Sequence, residues 1–214
     1  MFISELFEQT EKRNLLVIYP GRFHPFHKGH RAVYNHLVEK YGKNNVFIAT
    51  SGKVDLPKSP FTFDEKLKMM ILTGIDPSYV EECKSPYRPD EILKDFDQSE
   101  ITVIMAVSEK DMSEDPRFSF KPKKDGSPTY MQPLKGTSDL QPATKHAYLE
   151  IVPTFSFKVL GKPAKSASEL RAQFTTLDTA KQKAFIKDLF GNYSPEIHEI
   201  LSNRLNVANE LDGK

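Results

Sequence analysis

Gly21-Arg22-Phe23-His24-Pro25-Phe26-His27-Lys28-Gly29-His30 is the stretch on which the reading of this chain turns. Just before it, Leu15-Leu16-Val17-Ile18-Tyr19 is continuously apolar, the pattern of a strand buried on both faces of a parallel sheet. Just after it, Ala32, Val33, Leu37, Val38 and Tyr41 recur at helical spacing, and Gly42 ends the run. The stretch is therefore a strand-to-helix turn, the place where open α/β sheets bind ligands. Gly21 lets the backbone approach a phosphate closely, and Gly29 lets the first helical turn do the same. His27 and His30 are three positions apart across that turn and can point towards one spot.

Further apolar runs at Asn45 to Thr50, Tyr79 to Cys83, Ile101 to Val107, Tyr148 to Val152 and Phe155 to Leu160 read as strands. Helices are expected after Thr62, where Glu65 completes a capping box, and from Pro89 to Phe96. Two more, over about residues 177–190 and 194–207, close the chain as packing elements. Residues 1–13 read as an amphipathic segment and 14–175 as the main domain, with 176–214 packed on it. Within the main domain, 113–143 is too long for a plain connection and reads as a loop or lid. Its Arg117, Lys121, Lys123 and Lys124 are candidates to reach an acceptor phosphate, against the plainer reading of a solvated charged loop.

The 214 residues carry 30 basic and 29 acidic side chains, net +1, so no large field points to nucleic acid or a membrane as partner. A mean hydropathy of −0.50 and the absence of a long apolar run predict a soluble chain. A single cysteine, Cys83, excludes an internal disulfide framework and fits a reducing compartment. The expectation is a cytoplasmic protein, with self-association left open.

His27-Lys28-Gly29-His30 resembles the HxGH signature of the nucleotidyltransferase α/β-phosphodiesterase superfamily. The full phrase over residues 21–30 is similar to that of archaeal-type nicotinamide mononucleotide adenylyltransferases, as is Pro60-Phe61-Thr62 with Glu65 and Lys66. Lys165-Ser166-Ala167-Ser168-Glu169-Leu170-Arg171 resembles the superfamily's second signature, with Ala167-Ser168 where Ser-Thr or Gly-Thr is more frequent. After the strand at 101–107, Ser108 and Asp111 stand where relatives carry a ligand-contacting loop, here without its glycine. A Met-Phe-Ile-Ser-Glu-Leu start is similar to short leaders on T-even-like phage proteins, which would place the protein in a host cytoplasm or a virion.

The resemblance implies an α/β, Rossmann-like open parallel sheet with helices on both faces and a small helical C-terminal extension. It implies transfer of a nucleoside monophosphate, AMP from ATP first, to a small phosphorylated acceptor such as nicotinamide mononucleotide. His27, His30 and Arg171 would act on the phosphates. Gly21, Arg22, Phe23, Gly29, Lys66, Ser166 and Ser168 would line the nucleotide, and Mg²⁺ would accompany ATP. Two alternatives stand beside it: the same chemistry on phosphopantetheine or a sugar or alcohol phosphate, with CTP as a further donor, and a binding protein that kept the fold without turnover. Zinc on His24, His27 and His30 is disfavoured, because no fourth ligand lies near in sequence and Pro25 breaks a helix that would align them.

Overall fold

The first apolar run forms strand β1 (Leu15–Pro20), which is buried from Leu16 onward. It leads through the histidine-rich turn into helix α1 (Lys28–Tyr41). This computed structural model describes residues 15–113, 118–137, 139–164 and 166–212. The amphipathic segment expected over residues 1–13, Arg117 and Lys165 lie outside the described residues.

Five more strands join β1 in one sheet: β2 (Val46–Thr50), β3 (Val80–Glu82), β4 (Thr102–Ser108), β5 (Met131–Pro133) and β6 (Ala147–Val152). The order is β3-β2-β1-β4-β6-β5 and every pairing is parallel. The chain steps outward from β1 to β3 and then crosses back to β4, so β1 and β4 flank the point where ligand crevices form. The result is a Rossmann-like α/β fold, a six-stranded parallel sheet flanked by helices.

The described residues divide into two compact units. The first holds the sheet, from β1 to Gly21, Val33–Thr50 and Ser78–Thr154. Its core alternates along the strands: Leu16 and Ile18, Phe47 and Ala49, Val103, Met105 and Val107, Ala147 and Leu149. The intervening Val17, Ile48, Ile104 and Ala106 are buried as well, which is why these strands read as unbroken apolar runs. Glu150 on β6 is buried and accepts hydrogen bonds from Tyr41 and, at 2.6 Å, from Lys40.

The second unit holds Arg22–Ala32, Ser51–Pro77 and the chain from Phe155 onward. It contains α2 (Phe63–Leu72), α5 (Ala167–Thr175), α6 (Thr179–Phe190) and α7 (Pro195–Asp212). Phe61, Met69, Leu170, Phe174, Phe185, Leu189, Ile197, Leu201 and Leu205 make its core, four-residue steps that put apolar side chains on one helical face. Arg204 on α7 grips Glu65 on α2 through Nε at 2.8 and 3.1 Å.

Three sequence expectations change. Phe155 to Leu160 is not a strand of the main sheet: β7 (Lys158–Val159) pairs antiparallel with β8 (Lys162–Pro163) in a separate hairpin. Its two loop residues, Leu160 and Gly161, take φ of 50° and 76°, the conformation a two-residue hairpin demands. The long stretch 113–143 contains β5 at the sheet edge, with a tight turn closed by Gly126 N–H on the Lys123 carbonyl at 2.9 Å. Helix α3 (Pro89–Leu93) stops short of Phe96, whose N–H bonds back to Leu93.

Candidate active site

The histidine-rich turn starts from a strained backbone. Phe23 takes φ 49°, a left-handed conformation that an aromatic residue adopts at a cost of roughly 1–2 kcal/mol. Burial of its ring holds it there: Phe23 meets Phe26 edge-on at 5.2 Å and His30 edge-on at 5.0 Å. Phe23 was expected to line the nucleotide; with its ring 6% exposed, it supports His30 from below instead.

His27 occupies the N-cap of α1, and its ring does the capping. Nδ1 accepts from the Gly29 N–H at 3.2 Å and the His30 N–H at 3.4 Å, while His30 Nδ1 accepts from the His27 N–H at 3.3 Å. The two imidazoles stack at 3.8 Å with 19° between planes. An imidazole that accepts at Nδ1 carries its proton on Nε2, so each ring presents an Nε2–H on the edge opposite the backbone. Burial pushes the His27 pKa down to about 4 and holds His30 well below the ordinary imidazole value. Both rings are neutral donors at pH 7.

Gly29 is required by its neighbours. A Cβ there would stand 2.8 Å from the Phe157 ring and 3.1 Å from the His27 ring. Its N–H goes to His27 Nδ1. The Gly21 N–H donates to the Ala49 carbonyl at 3.0 Å, prolonging the sheet. Phe157, missed in the sequence, lies 4.9 Å from His27 with the Lys28 ammonium 5.3 Å over its ring. It lies 130 positions from His27 in a segment without regular pattern, so no local signal marks it.

Lys66 departs furthest from expectation. It is fully buried on α2, and its ammonium donates to the carbonyls of Arg22, at 3.2 Å, and Ser51. These bonds fasten the histidine turn to the segment after β2. Arg22 itself is exposed.

Arg171, on the first turn of α5, donates through Nη1 to the His24 carbonyl at 2.6 Å. This places a guanidinium from the second signature on the turn carrying the first. Ser166 and Glu169 form a reciprocal capping box, with Ser166 Oγ 3.1 Å from Ser168 Oγ. Thr62 and Glu65 do the same at the start of α2. His24 is buried; Nδ1 accepts from the Phe61 N–H at 3.4 Å and the ring stacks on Phe61 at 5.9 Å. Burial first, then the charges of Lys66, Arg171 and Arg22, push its pKa down to about 3. In the first unit, Ser108 donates to Asp111 at 2.7 Å, a local cap at the start of α4 (Glu109–Ser113).

Fold and turn together define a Rossmann-like α/β protein that carries paired histidines where its first strand passes into its first helix. The chain belongs to the cytidylyltransferase-like family, whose model matches residues 18–124. Nicotinamide-nucleotide adenylyltransferase 1 of Sulfolobus acidocaldarius is 38% identical over 63 residues, 28% of this chain and 36% of the relative. The nicotinamide-nucleotide adenylyltransferase of Sulfurisphaera tokodaii is 36% identical over 58 residues, 27% of this chain and 33% of the relative. The chain thus spans about a third of the length of the relatives it matches. Among solved structures, the bifunctional NMN adenylyltransferase/ADP ribose pyrophosphatase of Francisella tularensis, complexed with AMP and an Mn ion, shares the fold. Its TM-score is 0.51 at 16% identity, covering 94% of this chain and 54% of that one.

Proposed function

We propose that this chain is an adenylyltransferase that joins the AMP moiety of ATP to nicotinamide mononucleotide and releases pyrophosphate. The stacked His27–His30 pair carries the reading: two neutral rings, each held at Nδ1 by backbone N–H groups. Two imidazole donors side by side suit a phosphoryl group whose oxygens gain charge in the transition state. A phosphate oxygen of the acceptor attacks the α-phosphorus; the bond from that phosphorus to the bridging oxygen breaks, and pyrophosphate leaves with it. No protein nucleophile is needed, because positioning and charge stabilisation supply the catalysis. Arg171 holds the β- and γ-phosphates with its planar fork, Arg22 adds positive charge, and Ser166 and Ser168 present the start of α5.

Among the described residues no group of three or more His, Cys, Asp or Glu is placed to hold a metal ion. A magnesium ion accompanying ATP would offset phosphate charge in the reaction. The similarity to two archaeal nicotinamide-nucleotide adenylyltransferases supports nicotinamide mononucleotide as acceptor. Among the described residues no helix is long and apolar enough to cross a membrane, and the single cysteine, Cys83, is a buried thiol outside any internal disulfide; the reduced thiol suits a cytoplasmic enzyme.

Pyrophosphate release by the purified protein tests the reading, with ATP or CTP and magnesium against nicotinamide mononucleotide, phosphopantetheine and sugar phosphates. Fastest release is expected with ATP and nicotinamide mononucleotide, and loss of release on chelation. Faster turnover with CTP would overturn the base assignment. Tight ATP binding without turnover on any acceptor would leave a binding protein.

A further inference from the structure

The ring of His24 is explained on one side only. Its Nδ1 accepts from Phe61 N–H, which puts the proton on Nε2. That Nε2 is buried and has no hydrogen-bond partner among the described residues, while the side chain belongs to a residue only 5% exposed. Stacking on Phe61 and acceptance of its buried N–H account for the ring and for Nδ1, but neither accounts for the buried, unpartnered Nε2–H. The surroundings are cationic. Arg171 lies on the residue's own carbonyl, and Lys66 on the carbonyl of Arg22, two residues before it. The charges of Lys66, Arg171 and Arg22 all act on the ring against its protonation. A neutral N–H donor among three positive charges is suited to an anionic oxygen, and shielding from water makes such a bond strong.

We propose that His24 Nε2–H is a third imidazole donor to the polyphosphate, binding a phosphate oxygen alongside His27 and His30. The proposal deepens the reading of the chain as an ATP-using enzyme and rests on it. A glutamine at position 24 can place an amide N–H near the Nε2 position, whereas phenylalanine keeps the stacked ring and removes the donor.

Calorimetry of ATP, inorganic tripolyphosphate and adenosine binding to the wild type, His24→Phe and His24→Gln tests it. His24→Phe should bind ATP and tripolyphosphate about tenfold more weakly, leave adenosine unchanged, and melt lower than the wild type because the Phe61 N–H loses its acceptor. His24→Gln should recover most of the loss. Equal ATP affinity in the wild type and His24→Phe would overturn the role of His24 and leave the enzyme reading standing. Failure of the wild type to bind either ATP or tripolyphosphate would overturn both. Should His24→Phe not fold, ¹⁵N-histidine spectra of the wild type decide: the His24 Nε2–H resonance should move downfield as ATP is added, and a fixed resonance overturns the proposal.

Discussion

At the scale of single residues, the proposed reaction has His27 join helix capping to phosphate chemistry. Its Nδ1 takes two backbone N–H groups of the first turn of α1, which fixes the tautomer and aims the opposite edge outward. Replacing His27 or His30 by Ala should remove roughly 3 kcal/mol of transition-state stabilisation, or about two to three decades in rate, with little change in ATP affinity. Single-turnover kinetics check this, and an unchanged rate would remove that residue from the mechanism. The same burial makes stability depend on pH. The pKa of His27 is pushed down to about 4 and that of His24 to about 3, from an ordinary 6.5. As pH falls below 6.5 the unfolded chain therefore binds protons first, so stability is fully present above that value and drains away towards the folded-state values. The melting temperature should drop from pH 6.5 to 4, and less steeply in His27→Gln; parallel slopes would contradict the shift. The paired histidines were legible because the motif is local. The burial of Phe23 and Lys66 was not, since it is a tertiary fact that no neighbouring residue announces.

Among the elements, those governed by local rules were read correctly. Both capping boxes form as spaced, Thr62 with Glu65 and Ser166 with Glu169, because a cap needs only neighbours in sequence. The strands β1, β2, β4 and β6 follow their apolar runs for the same reason. Three-residue β5 escaped, because it is held by pairing with β6, and the run containing β7 was read as a strand without its hairpin partner, contacts that no short pattern announces. Lys66 is the clearest case of an element acting at a distance, since α2 reaches back through it to Arg22 and Ser51. Lys66→Met should leave those carbonyls unsatisfied and lower stability by about 2 kcal/mol. Urea denaturation measures it; an unchanged midpoint would mean that Lys66 is not a fastener.

For the whole molecule, alternating strand and helix patterns were enough to give an α/β fold, but not the grouping of its parts. The second unit collects Arg22–Ala32, Ser51–Pro77 and the chain from Phe155, and thereby brings His24, Phe61, Lys66 and Arg171 together from segments up to 147 positions apart. Three separate stretches of sequence meet through tertiary contacts that composition and periodicity do not encode. The family covers residues 18–124, so the Arg171 side of the site rests on geometry from this chain alone. The most direct measurement of the central claim is ³¹P NMR of the purified protein with ATP, magnesium and nicotinamide mononucleotide. The account predicts new dinucleotide diphosphate resonances and pyrophosphate appearing in equal amounts, both abolished in His30→Ala. Release of inorganic phosphate with ADP, or ATP left intact beside the acceptor, would contradict it.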